Sequence, residues 1–332
     1  MILEPGILAL ILLSLITSGT ILYALRHIVP ILYAWDLKSG SEGQLQLERR
    51  TYLLSTLLTW AFVAELTSLL LLVYTAENLH ERFTGAMCAA GVFNLNAFGY
   101  PALLLKLGNF LLAGCWLVLN RADNSARDYP LIRGKYLFLL VLTVPLLAEG
   151  VVLGLYLLNL QPDVITSCCG SLFGSRAVGL GSELAVWPMR PLGLVLLLAY
   201  VLNLGSGSFV LRKGRGSYLF ALSGLLVLFL GISAILSFVA PYFYELPSHH
   251  CPFCLLKADY GYVGYLLCGG LLVGATAAAA VGVLQPFATR PSLRQIIPAL
   301  QRRAVWLGLT LFTLCFLVAT LRIITTDFTL FG

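Results

Sequence analysis

The chain has 332 residues, of which 59% are hydrophobic and only 11% charged, with a formal charge of +6. Soluble domains carry about 25% charged residues, so this composition excludes a soluble enzyme and indicates a polytopic membrane protein embedded in a lipid bilayer. The positive balance does not make a nucleic-acid surface, because the basic residues fall in short gaps between apolar runs.

A spanning helix needs about 20 mostly apolar residues. Eight segments qualify, at 5–25, 51–75, 99–120, 134–158, 188–210, 217–240, 260–284 and 305–326. Their length and continuity favour helices over the shorter, alternating strands of a barrel. The expected fold is therefore an all-α bundle, a single transmembrane domain covering 1–332. The first segment is read as a retained span, because Glu4 stands where a cleaved signal peptide would carry basic residues.

Basic residues mark every second gap. Arg26, Lys38, Arg49 and Arg50 follow the first span, and Arg121, Arg127, Arg133 and Lys135 follow the third. Arg212, Lys213 and Arg215 follow the fifth, and Arg290, Arg294, Arg302 and Arg303 the seventh. The positive-inside rule turns these gaps to the cytoplasm and places both termini outside. The compact layout, without long soluble loops, suits a bacterial inner membrane. Pro241 and Pro247 are expected to break the sixth helix, with Trp187, Tyr242, Tyr244, Tyr260 and Tyr262 in an interfacial aromatic belt. The seventh span is rich in Gly and Ala, and Gly150 and Gly154 form a GxxxG in the fourth, a pattern that permits close helix approach. Asn109 and Asn203 read as interhelical hydrogen-bond donors.

Of eight cysteines, Cys115, Cys268 and Cys315 lie in spans and read as small hydrophobes. Cys88, Cys168, Cys169, Cys251 and Cys254 all map to the outer, oxidising side. The segment His249-His250-Cys251-Pro252-Phe253-Cys254 carries a dithiol spacing just before the seventh span, where a helix N-terminus would favour a thiolate. The two histidines are suited to hold charge or move protons. The Cys-Pro-aromatic-Cys pattern resembles the active site of glutaredoxins over these four residues, although no thioredoxin-type βαβ pattern surrounds it. Three readings stay open for it: a reversible redox pair, a metal site and a structural disulfide. Cys254 is followed by Leu255, so the CxxCH signature of covalent haem is absent. Met87-Cys88 is a soft donor pair suited to Cu(I).

Charges inside spans are costly and mark function by default. Glu65, Lys106 and Glu149 fall at similar depth in the outer half, from a helical rise of about 1.5 Å per residue. Arg322, near the outer end of the last span, is expected to join them. Such a cluster suits proton exchange, a quinone headgroup or an ion path, or else a structural interhelical ion pair.

Three functions follow. In the first, a membrane thiol-disulfide oxidoreductase, Cys251 and Cys254 exchange a disulfide, Cys168 and Cys169 relay electrons to a periplasmic redox partner, and quinone is the acceptor. Quinone-linked disulfide-forming enzymes share this logic of parts. In the second, His249, His250, Cys251 and Cys254 capture a soft ion such as Cu(I), Hg(II) or Zn(II), with Cys88, Cys168 and Cys169 as transfer ligands and a metal-carrier protein as partner. In the third, a non-catalytic membrane subunit, the disulfides only brace loops. No GxxxxGK[ST] motif is present for the chain to drive pumping with ATP.

Overall fold

The computed structural model describes residues 3–36, 39–161 and 187–330. Cys168 and Cys169 lie outside the described residues. Among the described residues, eight helices are long and apolar enough to cross a membrane. They are α1 (Pro5–Ala34), α2 (Glu42–Leu79), α3 (Gly99–Asn124), α4 (Ile132–Leu158), α5 (Met189–Lys213), α6 (Ser217–Ala234), α7 (Val263–Leu284) and α8 (Ile296–Thr325). The described residues contain no strand. The protein is thus an integral membrane helical bundle. Apolar side chains such as Val144 and Leu222 stand largely exposed, at 72% and 67%, as expected where lipid rather than water is the solvent.

Several helices outrun the apolar segments that announced them. α1 continues to Ala34 through Pro30, and α2 starts at Glu42. Hydropathy marks only the part of a helix that must match hydrocarbon, while the polar ends stay helical beyond it.

α6 departs more sharply from expectation. Pro241 does not end it. The helix widens into a π turn over Ile235–Val239, resumes over Ala240–Tyr244, and stops where Glu245 takes a left-handed φ of 57°. Proline lacks an N–H and its ring crowds the preceding turn; the wider turn immediately before Pro241 accommodates both.

The chain forms two compact units. The first comprises Met1–Thr75, Asn96–Leu160 and Val283–Gln301, and the second Ala76–Leu95, Gln161–Gly282 and Arg302–Gly332. In the first, α1 to α4 share a core built around Trp116, Phe62 and Tyr136. The Phe62 and Trp116 rings meet edge-on at 4.9 Å, and Trp116 Nε1 donates to the Lys135 carbonyl at 3.1 Å. Asn109 Nδ2 donates across to the Pro145 carbonyl at 3.2 Å, linking α3 to α4.

In the second unit, α6 and α7 run antiparallel in close contact. A Cβ on Gly224 would stand 2.4 Å from the Ala278 Cβ, one on Gly231 would meet Leu271 at 2.9 Å, and one on Gly282 would meet Ala221 at 2.8 Å. Glycines of both helices, Gly224 and Gly231 of α6 and Gly282 of α7, therefore set the helix spacing. Asn203 Nδ2 ties α5 to α6 through the Phe220 carbonyl and Ser223 Oγ. The GxxxG of α4 is used at one end only. A Cβ on Gly150 would press on Ser18 Oγ at 3.0 Å, whereas Gly154 faces open space.

This packing makes a sharp contrast testable. Gly224→Ala forces α6 away from α7 and is expected to lower stability by about 1–3 kcal/mol, the usual cost of overpacking. Gly154→Ala is expected to be neutral or slightly stabilising. Thermal unfolding of the detergent-solubilised protein checks both.

Candidate functional site

The second unit gathers three thiols. Cys88, Cys251 and Cys254 place their sulfurs all within 4.8 Å of one another. Cys88 Sγ and Cys251 Sγ are 3.5 Å apart, well beyond the bonded S–S length of about 2.05 Å. All three side chains are buried, Cys254 the least at 8% exposed.

Local structure explains how the thiols meet. Cys88 has an extended backbone and caps the short helix Ala89–Phe93. That helix is anchored by Glu77 at the end of α2, whose Oε2 accepts the Ala89 N–H at 2.8 Å. Lys257 crosses from the other cysteine segment. Its Nζ donates to the Met87 carbonyl at 2.6 Å and lies 3.7 Å from Glu77 Oε1. The acid and the base thus clasp the Cys88 turn to the Cys251 segment. Phe93 and Phe253 pack at 5.5 Å on the same junction.

Cys254 sits in a 3-10 turn over Phe253–Leu256, and a second such turn precedes Val263. The dithiol thus precedes α7, as its position before the seventh span implies, with the two 3-10 turns between Cys251 and the helix start at Val263. The left-handed Gly261 and Tyr262 separate these turns from α7, although Leu255 and Leu256 fold back against Gly264.

Tyr244 corrects a second expectation. It is buried rather than set in a lipid-facing belt, as is Tyr242. The Tyr244 hydroxyl donates to the Cys251 carbonyl at 2.6 Å, and its ring meets His249 edge-on at 4.6 Å and Tyr260 at 4.8 Å. Burial holds the His249 imidazole below its ordinary pKa, a trend that the charge of Cys88 opposes. Burial also raises the Tyr260 phenol, and Cys254 and Asp259 add to the effect. His250 Nδ1 hydrogen-bonds the Leu236 carbonyl at 2.9 Å. Neither histidine joins the three-sulfur group.

The first unit gathers Glu65, Lys106 and Glu149. Lys106 Nζ lies 2.9 Å from both Glu65 Oε1 and Glu149 Oε1, linking α2, α3 and α4. Arg322 does not share that ammonium's partners. Its guanidinium bonds Glu245 Oε1 at 2.9 Å and the carbonyls of Tyr242 and Phe243.

A second interior pair was not anticipated. Lys135, counted above with the cytoplasmic charges, is fully buried, with Nζ 2.6 Å from Asp123 Oδ2 and 3.1 Å from Asn120 Oδ1. Asp123 Oδ1 accepts the Leu131 N–H at 2.7 Å, closing the turn between α3 and α4. The available signal was an acid at one end of that short connection and a base at the other.

The two kinds of ion pair differ in burial, and so in expected effect. Lys106→Met leaves two buried carboxyl groups without their cation and is expected to cost about 3–5 kcal/mol. Arg322→Gln, at a half-exposed pair, is expected to cost less than about 1 kcal/mol. Thermal unfolding in detergent measures each.

Comparison with protein-family models, with curated proteins and with solved structures finds no match for this chain.

Proposed function

We propose that the protein is a membrane metal-handling protein that captures a soft ion, of the class of Cu(I), Zn(II) or Hg(II), on Cys88, Cys251 and Cys254. The observation that carries this reading is the mutual approach of three buried sulfurs within 4.8 Å. A metal–thiolate bond of about 2.3 Å sets sulfurs on a common ion roughly 3.8–4.0 Å apart. Small side-chain rotations bring the three sulfurs to that spacing. Thiolate ligands select soft ions over Mg²⁺ or Ca²⁺. Burial supports the same choice, because an ion reaches a site that a partner protein's disulfide does not. His249, two residues before Cys251, is a reserve ligand, and Lys257 offsets part of the thiolate charge.

In this reading the thiol cluster and both termini face outward, opposite the gaps rich in Lys and Arg, and the compact layout is that of a bacterial inner-membrane protein. A periplasmic metal carrier is the matching partner, and Cys168 and Cys169 are transfer ligands. Glu65, Lys106 and Glu149 form an interior polar group able to pass protons or ions through the first unit.

One contact favours a second reading, thiol-disulfide exchange. At 3.5 Å, a Cys88 thiolate is placed to attack Cys251 of a Cys251–Cys254 disulfide. The Cys88–Cys251 bond forms, the Cys251–Cys254 bond breaks, and Cys254 leaves as the thiolate, with no net change of oxidation state. A quinone is then the acceptor that restores the disulfide after reduction.

Anaerobic purification followed by metal analysis separates the two. After Cu(I) or Zn(II) loading, one ion per chain is expected, lost in Cys88→Ser and in Cys251→Ser and kept in Cys115→Ser. Equal metal content in wild type and both site variants overturns the metal reading. A Cys251–Cys254 disulfide that forms on adding quinone, read by mass-tag alkylation, establishes the second in its place.

A further inference from the structure

A partly open cavity of about 270 Å³ lies in the first unit, where the end of α1, the first half of α2 and the α3–α4 connection meet. Lys135 forms part of its wall, with Arg49, Thr51, Tyr52, Trp35 and Tyr129, and with Glu48, Ser55 and Asn124. We propose that this cavity binds the phosphodiester headgroup of a membrane phospholipid. The inference is independent of the thiol cluster.

Its lining carries two cations, Lys135 and Arg49, against one carboxylate, and a buried hydroxyl left without a partner. Thr51 is 4% exposed, and its Oγ1 has no hydrogen-bond partner. A hydroxyl buried in that state costs free energy unless a ligand completes it. Lys135 Nζ has three N–H bonds, of which Asp123 and Asn120 take two. Arg49 is exposed at the rim and brings a positive charge. Glu48, the one acid lining the cavity among the described residues, already accepts from Gln44 Nε2 at 2.8 Å. A phosphodiester offers only acceptor oxygens and one negative charge, which complements this set.

The walls also suit a membrane interface. Trp35 and Tyr129 meet edge-on at 6.4 Å, and Trp and Tyr are favoured at headgroup depth. Tyr129 holds a left-handed φ of 42°, an unfavourable conformation for a bulky side chain that the surrounding structure must impose. Basic pockets between spanning helices, at the end where Lys and Arg accumulate, are where anionic headgroups are held. The volume admits a headgroup and leaves the acyl chains to run along the helices.

The test is titration calorimetry of the detergent-solubilised protein with short-chain phosphatidylglycerol. Arg49→Gln and Thr51→Val are each expected to weaken binding about tenfold, as for loss of a hydrogen bond to a charged group. Arg50→Gln, outside the lining, is expected to bind as wild type. Arg49 is exposed, so its variant is expected to melt as wild type and to test binding alone. Undiminished binding in Arg49→Gln and Thr51→Val overturns the proposal, as does equal binding of a phosphate-free diacylglycerol. Inorganic phosphate or glycerol phosphate binding as tightly as the lipid overturns a lipid source in favour of a soluble phosphate.

Discussion

In hydrocarbon, a peptide N–H or C=O without an internal partner has no water to turn to, and the cost is several kcal/mol per group. That constraint makes each apolar run of this chain a helix. It also governs where the chain is allowed to be irregular. The π turn at Ile235–Val239 is tolerated because the helix closes again over Ala240–Tyr244. The thiol segment is irregular only between Glu245 and Val263, where Glu245, Gly261 and Tyr262 carry the left-handed turns.

The same constraint shapes the polar interior. Lys106 sits between two carboxylates and Lys135 between a carboxylate and an amide, each with its ammonium fully enclosed. A buried charge survives only when geometry and hydrogen bonds repay its desolvation. Both groups join α3 to α4 or to α2, so they hold the first unit in a defined register as well as carrying charge. The thiol cluster is built differently. Its clasp of Glu77 and Lys257 is only part-buried, and aromatic rings close the remainder. The sulfurs themselves are buried, while the clasp that joins their two segments is partly exposed.

Much of this was legible in residue order. The eight helices followed from hydropathy. Glu65, Lys106 and Glu149 stood out because an ionisable residue in an apolar run has few permitted environments, and helical rise put them at one depth. Cys251 and Cys254 were conspicuous by their spacing. Tyr244 was not legible as a site residue, because an aromatic residue at a helix end reads equally well as lipid-facing or inward-facing. Lys135 misled for a related reason. A base at the very start of a span counts with the loop charges unless its acid partner is known, and Asp123 sits on another helix.

Local physics of the chain determined the fold class: long apolar runs without water can only be helices, whatever their neighbours. Tertiary structure alone decided which thiols meet. Cys88 is separated from Cys251 by 163 positions, and no periodicity or spacing connects them. Their approach depends on the acid at the end of α2 finding a base beside the dithiol, a contact between loops that hydropathy does not encode. The dithiol that began as a four-residue pattern is, in the folded protein, two sides of a three-sulfur site.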